Sequence, residues 1–87
     1  MNVELFVGMV FRTSSGCEFG TIRKIPESGS QIFPFSLNFT PIAMDDCGNY
    51  FVKDVDGIYF WDHENDHVEL LAKSESEFIA GLVSRKK

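Results

Sequence analysis

The chain has 87 residues, a size that fits one domain with a single modest core. Hydrophobic residues make up 44% of it and aromatic residues 14%, a composition that indicates a folded protein and excludes a disordered one. The formal net charge of −5 argues against direct binding of nucleic acid, because phosphate contacts need clustered lysine and arginine. No stretch approaches the ~20 apolar residues of a membrane span.

The N-terminus and the cysteines indicate a cytoplasmic protein. The first eleven residues are apolar but include Glu4 and no positively charged leader, so we expect no secretion signal. Cys17 and Cys47 form the only possible disulfide. Two cysteines without a secretion signal are typical of reduced thiols in the cytosol.

The first half of the chain predicts two strands and a loop. Apolar residues alternate along residues 3–11, which is typical of a strand. Residues 13–16 are a turn signal, and residues 17–25 predict a second strand. A flexible loop is expected at residues 26–31. Residues 32–38 are expected at a sheet edge or in an irregular extended stretch, because their proline removes a backbone donor.

The middle of the chain predicts a sharp turn and then a hairpin. Residues 39–43 predict a short buried strand, which enters a turn at residues 45–49. Asp, Gly and Asn there tolerate left-handed or side-chain-bonded geometry. Residues 50–53 and 58–62 then flank an Asp-Gly pair, which is among the stronger short-range hairpin signals.

The register of this hairpin decides which side chains share a face. We favour a three-residue loop that ends at a left-handed Gly57, with Phe51 opposite Trp61 and Lys53 opposite Tyr59. This register keeps Lys53 over an aromatic ring rather than in the core. With either loop length, the period of two puts Tyr59 and Trp61 on the same face.

A short strand at residues 67–71 precedes a closing helix. Ser74 and Glu77 have the spacing of a capping box, with Ser74 as the N-cap and Glu77 reaching back to it. The basic residues 85–87 suit the negative end of the helix dipole. An apolar stripe over two helical turns is formed by Phe78, Ile79, Leu82 and Val83.

The order of these elements predicts an α+β fold. Strands come first and a C-terminal helix follows, so the helix is expected to pack on one face of the sheet. We expect a single domain over residues 1–87.

Charge and aromatic residues are concentrated in one segment. Residues 45–69 hold eight of the thirteen carboxylates and one base, which leaves seven net negative charges. Tyr and Trp often anchor protein interfaces, and carboxylates around them would select a basic partner. The alternative is that the helix packs on this aromatic face, which would then be core. The predicted partner-binding residues are Asp45, Asp46, Asp54, Asp56, Tyr59, Trp61, Asp62 and Glu64.

Metal and catalytic sites are not indicated. The Asp-Val-Asp-Gly run at residues 54–57 resembles the opening of a calcium loop, but Ile58 occupies the third ligand position and a hairpin turn explains the run. His63 and His67 lie four residues apart, a spacing that converges on a helix but not in a loop. A cysteine–histidine pair has no orienting partner or helix N-terminus. We therefore predict no catalytic residue, cofactor or metal, and a small metal-dependent enzyme is the least favoured alternative.

Three motifs together resemble the SUKH superfamily, the Smi/Knr-like proteins. Residues 41–50 are similar to its P-[IF]-A-x-D-x-x-G-[ND] core, residues 58–64 to its V-[YF]-[FY]-W-[DH]-H-E strand, and residues 76–82 to its closing helix. The resemblance covers residues 39–82. Family members usually begin with a helix and a Leu-Pro segment. Residues 1–38 lack both, so the N-terminal helical part is expected to be absent.

The resemblance implies a fold and a function. The fold is a mixed, mainly antiparallel sheet with helix packing. In bacteria, many SUKH proteins are immunity proteins that bind toxins in the cytoplasm, often at basic nuclease domains, and an acidic surface would be complementary to these. We therefore predict a binding module that neutralises a toxin. The alternative is a regulatory or scaffold SUKH protein without a toxin partner. The missing N-terminal cover would also favour a homodimer or a differently built N-terminal half.

Overall fold

The computed structural model describes residues 2–25, 39–65 and 67–84. The loop predicted at residues 26–31, the extended stretch at residues 32–38 and the basic C-terminus lie outside these residues. In chain order the elements are a 3-10 helix (Val3–Phe6), β1 (Met9–Arg12), β2 (Glu18–Gly20), β3 (Thr40–Met44), β4 (Tyr50–Asp54), β5 (Gly57–Asp62), β6 (His67–Ala72), α1 (Glu75–Ala80) and β7 (Leu82–Ser84).

The strands form two antiparallel sheets. One has three strands in the order β2-β1-β7, and the other has four strands in the order β3-β4-β5-β6. The predicted α+β class, mainly antiparallel with a C-terminal helix, is confirmed. The division into two sheets was not anticipated from the sequence.

The N-terminal strand prediction is wrong for residues 3–8. Residues Val3–Phe6 form a 3-10 helix, and the side chain of Asn2 caps it by accepting a hydrogen bond from the backbone N–H of Glu4 at 3.2 Å. Strand pairing starts only at Met9. A local cap therefore overrides the alternation of apolar residues.

The second predicted strand is shorter than expected because the chain passes from one sheet to the other. β2 ends at Gly20. Beyond it, the backbone of Arg23 exchanges two hydrogen bonds with Met44 of β3, at 2.7 and 3.0 Å. Arg23 therefore ties the end of the first sheet region to the edge of the four-stranded sheet.

The core lies between the two sheets and helix α1. Phe78 of the helix stacks on Phe11 of β1 with ring centroids 5.2 Å apart, and it contacts Phe51 of β4 at 5.7 Å. Phe19 of β2 contacts Phe60 of β5 at 4.9 Å. Each aromatic ring buries a large area, so a few of them fill this small core. The helix thus covers the Phe51 and Phe60 face of the sheet.

Helix α1 begins as predicted and ends earlier. Ser74 accepts from the backbone N–H of Glu77 at 3.2 Å, and Glu77 accepts from the N–H of Lys73 at 3.1 Å, one residue before the predicted partner. The helix ends at Gly81, where a Cβ would overlap the ring of Phe11. Residues Leu82–Ser84 form β7 beside β1, so the predicted two-turn stripe is wrong in its second half.

The hairpin register differs from the favoured one by one residue. Its loop has two residues, with Asp54 paired to Gly57, and Lys53 opposite Ile58. Asp54 Oδ1 accepts from the backbone N–H groups of Asp56 at 2.8 Å and Gly57 at 3.1 Å, which closes the tight loop. Lys53 does not lie over Tyr59.

Lys53 instead lies on the helix side of the sheet. It donates to Glu75 of α1 at 2.6 Å, and its charge holds the pKa of that carboxyl below its usual range. This ion pair links the second strand of the sheet to the first turn of the helix.

Both edges of the four-stranded sheet are irregular. In β3, the pairing shifts between Pro41 and Ala43, and in β6 it shifts between Leu70 and Ala72. Proline and bulges at an edge disfavour pairing with another strand. These edges therefore do not favour the strand-to-strand form of the expected homodimer.

Candidate protein-binding site

The predicted partner-binding residues lie at two opposite ends of the four-stranded sheet. Because β3 to β6 follow one another as antiparallel neighbours, the β3–β4 and β5–β6 turns share one end and the β4–β5 turn lies at the other. We call these the double-turn end and the hairpin end. A five-residue strand separates them by about 13 Å. The double-turn end carries Asp45, Asp46, Asp62 and Glu64; the hairpin end carries Asp54 and Asp56.

Asp45 organises the turn between β3 and β4. Its side chain is 5% exposed. It accepts hydrogen bonds from the backbone N–H groups of Cys47 and Asn49, both at 2.9 Å, and from Asn49 Nδ2 at 3.1 Å. These bonds satisfy a buried carboxylate. Asp45 therefore has almost no surface to offer a partner.

Asn49 and His63 join the two turns. The side-chain oxygen of Asn49 accepts from the backbone N–H of His63 at 3.0 Å and lies 2.7 Å from His63 Nδ1. This contact is not predicted from the sequence, because Asn49 and His63 are fourteen positions apart and no local pattern pairs them. The only available signal is that Asn49 directly precedes β4 and His63 directly follows β5. Because these strands are antiparallel neighbours, both residues lie at the same end of the sheet.

Asp62 has a structural role within the β5–β6 turn. It accepts from the backbone N–H of Glu64 at 2.9 Å and from Asn65 Nδ2 at 3.1 Å. These bonds, the first above all, hold the pKa of the Asp62 carboxyl below its ordinary value. The acid is therefore kept charged in the folded chain.

The other two predicted carboxylates of the double-turn end differ in whether a described basic side chain pairs with them. Asp46 forms an ion pair with Arg23, and both side chains are about half exposed. Glu64 is exposed, and no hydrogen bond or ion pair reaches its side chain from any described residue. Among the described carboxylates at this end, Glu64 is thus the one whose charge is free to act on a partner.

Trp61 is not the exposed anchor that the sequence predicts. It is 5% exposed, and its ring lies near those of Tyr50 and His63, with centroids 6.1 and 6.4 Å away. Trp61 is therefore a core residue, as the alternative interpretation expects. The helix is not what buries it, because helix α1 packs on the other face of the sheet.

The hairpin end combines charge with a partly accessible aromatic ring. Tyr59 is half-buried, and the ring of Phe39 meets it edge-on at 5.3 Å. Partial burial raises the pKa of the Tyr59 phenol above its usual value, and the nearby charges of Asp54 and Asp56 raise it further. Asp56 and its neighbour Val55, which is fully exposed, form the tip of the hairpin.

The described residues contain no grouped metal ligands and no membrane-spanning helix. Within residues 2–25, 39–65 and 67–84, no three His, Cys, Asp or Glu side chains are grouped as metal ligands. Cys17 and Cys47 are exposed free thiols. No helix in this part of the chain has the length and apolar character needed to cross a membrane.

One family of known proteins matches this chain. The model of the SMI1 / KNR4 family (SUKH-1) matches residues 8–81. The match begins in the first sheet, well before the segment that carries the sequence motifs. A search of curated proteins finds no match, and a search of solved structures finds none.

Proposed function

Because this chain belongs to the SMI1 / KNR4 family (SUKH-1), we propose that it is an immunity-type protein that binds and neutralises a basic toxin domain in the cytoplasm. A nuclease domain is the partner class that fits best, since it must present basic side chains to phosphate. The proposed activity is binding. We assign it no catalytic residue, cofactor or metal.

The observation that carries this proposal is the uneven compensation of charge. Four ion pairs join the described residues, and they take up Arg12, Arg23, Lys24 and Lys53. No described base pairs with Asp54, Asp56 or Glu64. Negative potential is therefore left at both ends of one sheet. A surface of this kind raises the association rate with a basic partner.

The test measures affinity for the toxin domain encoded beside this gene. Asp56→Lys combined with Glu64→Lys is expected to weaken binding on the order of 10-fold or more at low salt, mainly through slower association. The difference should shrink as salt rises. Asp45, Asp54 and Asp62 are left intact because they hold turns together.

The control is Ala80→Lys, which adds one positive charge at an exposed position of the helix, on the opposite face of the sheet from Tyr59. Because the double variant changes the net charge by four and the control by one, the effects are compared per unit of charge. Equal weakening per unit of charge by the control and the double variant would refute the proposed surface. A failure of the unmodified chain to bind the toxin domain would favour the regulatory or scaffold alternative.

A further inference from the structure

At the hairpin end, Tyr59 lies at the centre of a small apolar patch. Its cross-strand neighbours are Val52 on β4, which is fully buried beneath it, and Leu70 on β6, which is 46% exposed and supplies the aliphatic surface. Phe39 supports the ring from the side, with an interplanar angle of 74°. The patch therefore offers an aromatic ring and aliphatic surface close together.

Two carboxylates border this patch. Asp54 lies on the same face of β4 as Val52 and so is the diagonal neighbour of Tyr59. The backbone bonds that it accepts from the loop fix its orientation. Asp56 is exposed at the tip. Burial raises the pKa of the Tyr59 phenol, and the charges of Asp54 and Asp56 raise it further.

No described base forms an ion pair with either carboxylate, although the backbone of Lys73 lies against Gly57 at this end. Lys53 is adjacent to Asp54 in the chain, but it points to the opposite face and is held by Glu75. At the double-turn end the situation differs, because Asp46 is paired with Arg23 and Trp61 is buried. The hairpin end thus combines two carboxylates that no described base pairs with and a half-buried ring on the neighbouring strand.

We propose that the Tyr59 patch receives an arginine side chain of the protein partner, an inference that rests on the proposed function. A guanidinium group is planar, stacks on aromatic faces and donates to a carboxylate through two N–H groups. Its apolar stem would cover Leu70. Lysine offers a point charge and lacks the planar fork, so it fits this combination less well.

The first test uses the full chain and a short probe. The acetylated and amidated peptide Gly-Arg-Gly is titrated while the ring resonances of Tyr59 and the methyl resonances of Leu70 are followed by NMR. We expect saturable shifts with this peptide, weaker binding of its lysine counterpart, and little response to the uncharged citrulline peptide of the same shape. Equal responses to the arginine and citrulline peptides would overturn the inference.

Two conservative variants make this test specific. Asp56→Asn removes one border charge, and it is expected to weaken peptide binding about 2- to 5-fold. Glu64→Gln removes a charge from the other end of the sheet and should leave it unchanged. If both variants weaken binding equally, the peptide senses only net charge and the proposed site is wrong.

The second test separates this inference from the proposed function. Tyr59→Leu keeps an apolar side chain but removes the ring, and it should weaken binding to the toxin domain about 2- to 5-fold. An unchanged affinity, in a variant whose unfolding shows it to be folded, refutes the arginine site and leaves the function standing. Peptide binding at Tyr59 without any toxin binding refutes the function and leaves the site standing.

Discussion

The two ends of the four-stranded sheet are both acidic in sequence but differ in structure. At the double-turn end, Asp45 and Asp62 accept hydrogen bonds that build the turns, and Asp46 is paired with Arg23. At the hairpin end, Asp54 closes the loop while its charge and that of Asp56 remain uncompensated by described bases. Most of the described acidic residues at the double-turn end thus serve the fold, whereas Glu64 there and Asp56 at the hairpin end keep charge that is available for binding.

A cluster of charged residues in a sequence therefore does not define a single surface of the folded protein. Antiparallel neighbours send consecutive turns to opposite ends, so residues eight to ten apart can end up about a strand length away from each other. The burial and the partners of each carboxylate decide its role. Each of the following predictions tests whether the two ends differ in this way.

The largest effect is expected for Asp45→Ala at the double-turn end. The substitution leaves the amides of Cys47 and Asn49 without their acceptor in a buried turn, so it should lower the free energy of unfolding by about 3 kcal/mol. Urea denaturation measures this. A loss below about 1 kcal/mol would mean that the turn does not depend on Asp45.

A smaller effect is expected for Asp54→Ala at the hairpin end. It removes two backbone bonds from an exposed loop, which should cost about 1 kcal/mol. Asp56→Ala removes a side chain that makes no such bond and should change stability by less than about 0.5 kcal/mol. The two substitutions are one turn residue apart, so each is the control for the other. Equal losses would contradict the assigned roles.

The pH dependence of stability should identify Asp62 as a fold-building carboxylate. Its pKa is lower in the folded chain than in the unfolded one. The stability it contributes is therefore present above the unfolded pKa and is lost as pH falls through the folded one. We expect Asp62→Asn to lose less stability than the unmodified chain between neutral pH and about pH 3. Parallel curves for the two proteins would show that Asp62 makes no such contribution.

The smallest effect is a shift in the ionisation of Tyr59. Because Asp56 helps to raise the pKa of its phenol, Asp56→Asn should lower that pKa slightly, whereas Glu64→Gln at the other end should not. Ultraviolet titration in a Tyr50→Phe background isolates the single phenol. A shift with Glu64→Gln of the same size would indicate a general effect of net charge.

Local signals predicted the C-terminal half of the fold well. Strands around the 45–49 turn, the Asp-Gly hairpin and the Ser74 cap all depend on residues within a few positions of each other, and the structure has them. The hairpin register differs from the predicted one because the hydrogen bonds that Asp54 accepts from the loop stabilise a two-residue turn. The prediction relied instead on a cation–π contact of Lys53.

Contacts between residues that are distant in the chain could not be predicted from the sequence. The turn of the chain after Gly20, the pairing of Leu82–Ser84 with β1 and the Asn49–His63 contact all depend on tertiary neighbours. The arrangement of the candidate protein-binding site also depends on tertiary structure. The carboxylates were found by composition, but their division between two ends and the burial of Trp61 follow from the sheet topology.

We propose that the uncompensated carboxylates serve binding and not folding. The most direct measurement determines, for the Asp56→Asn, Glu64→Gln double variant, both the free energy of unfolding and the affinity for the basic toxin domain. The account predicts unchanged or slightly higher stability, since negative charges that repel each other are removed, together with weaker binding at low salt. A variant that loses stability but binds the domain as tightly as the unmodified chain would contradict the account.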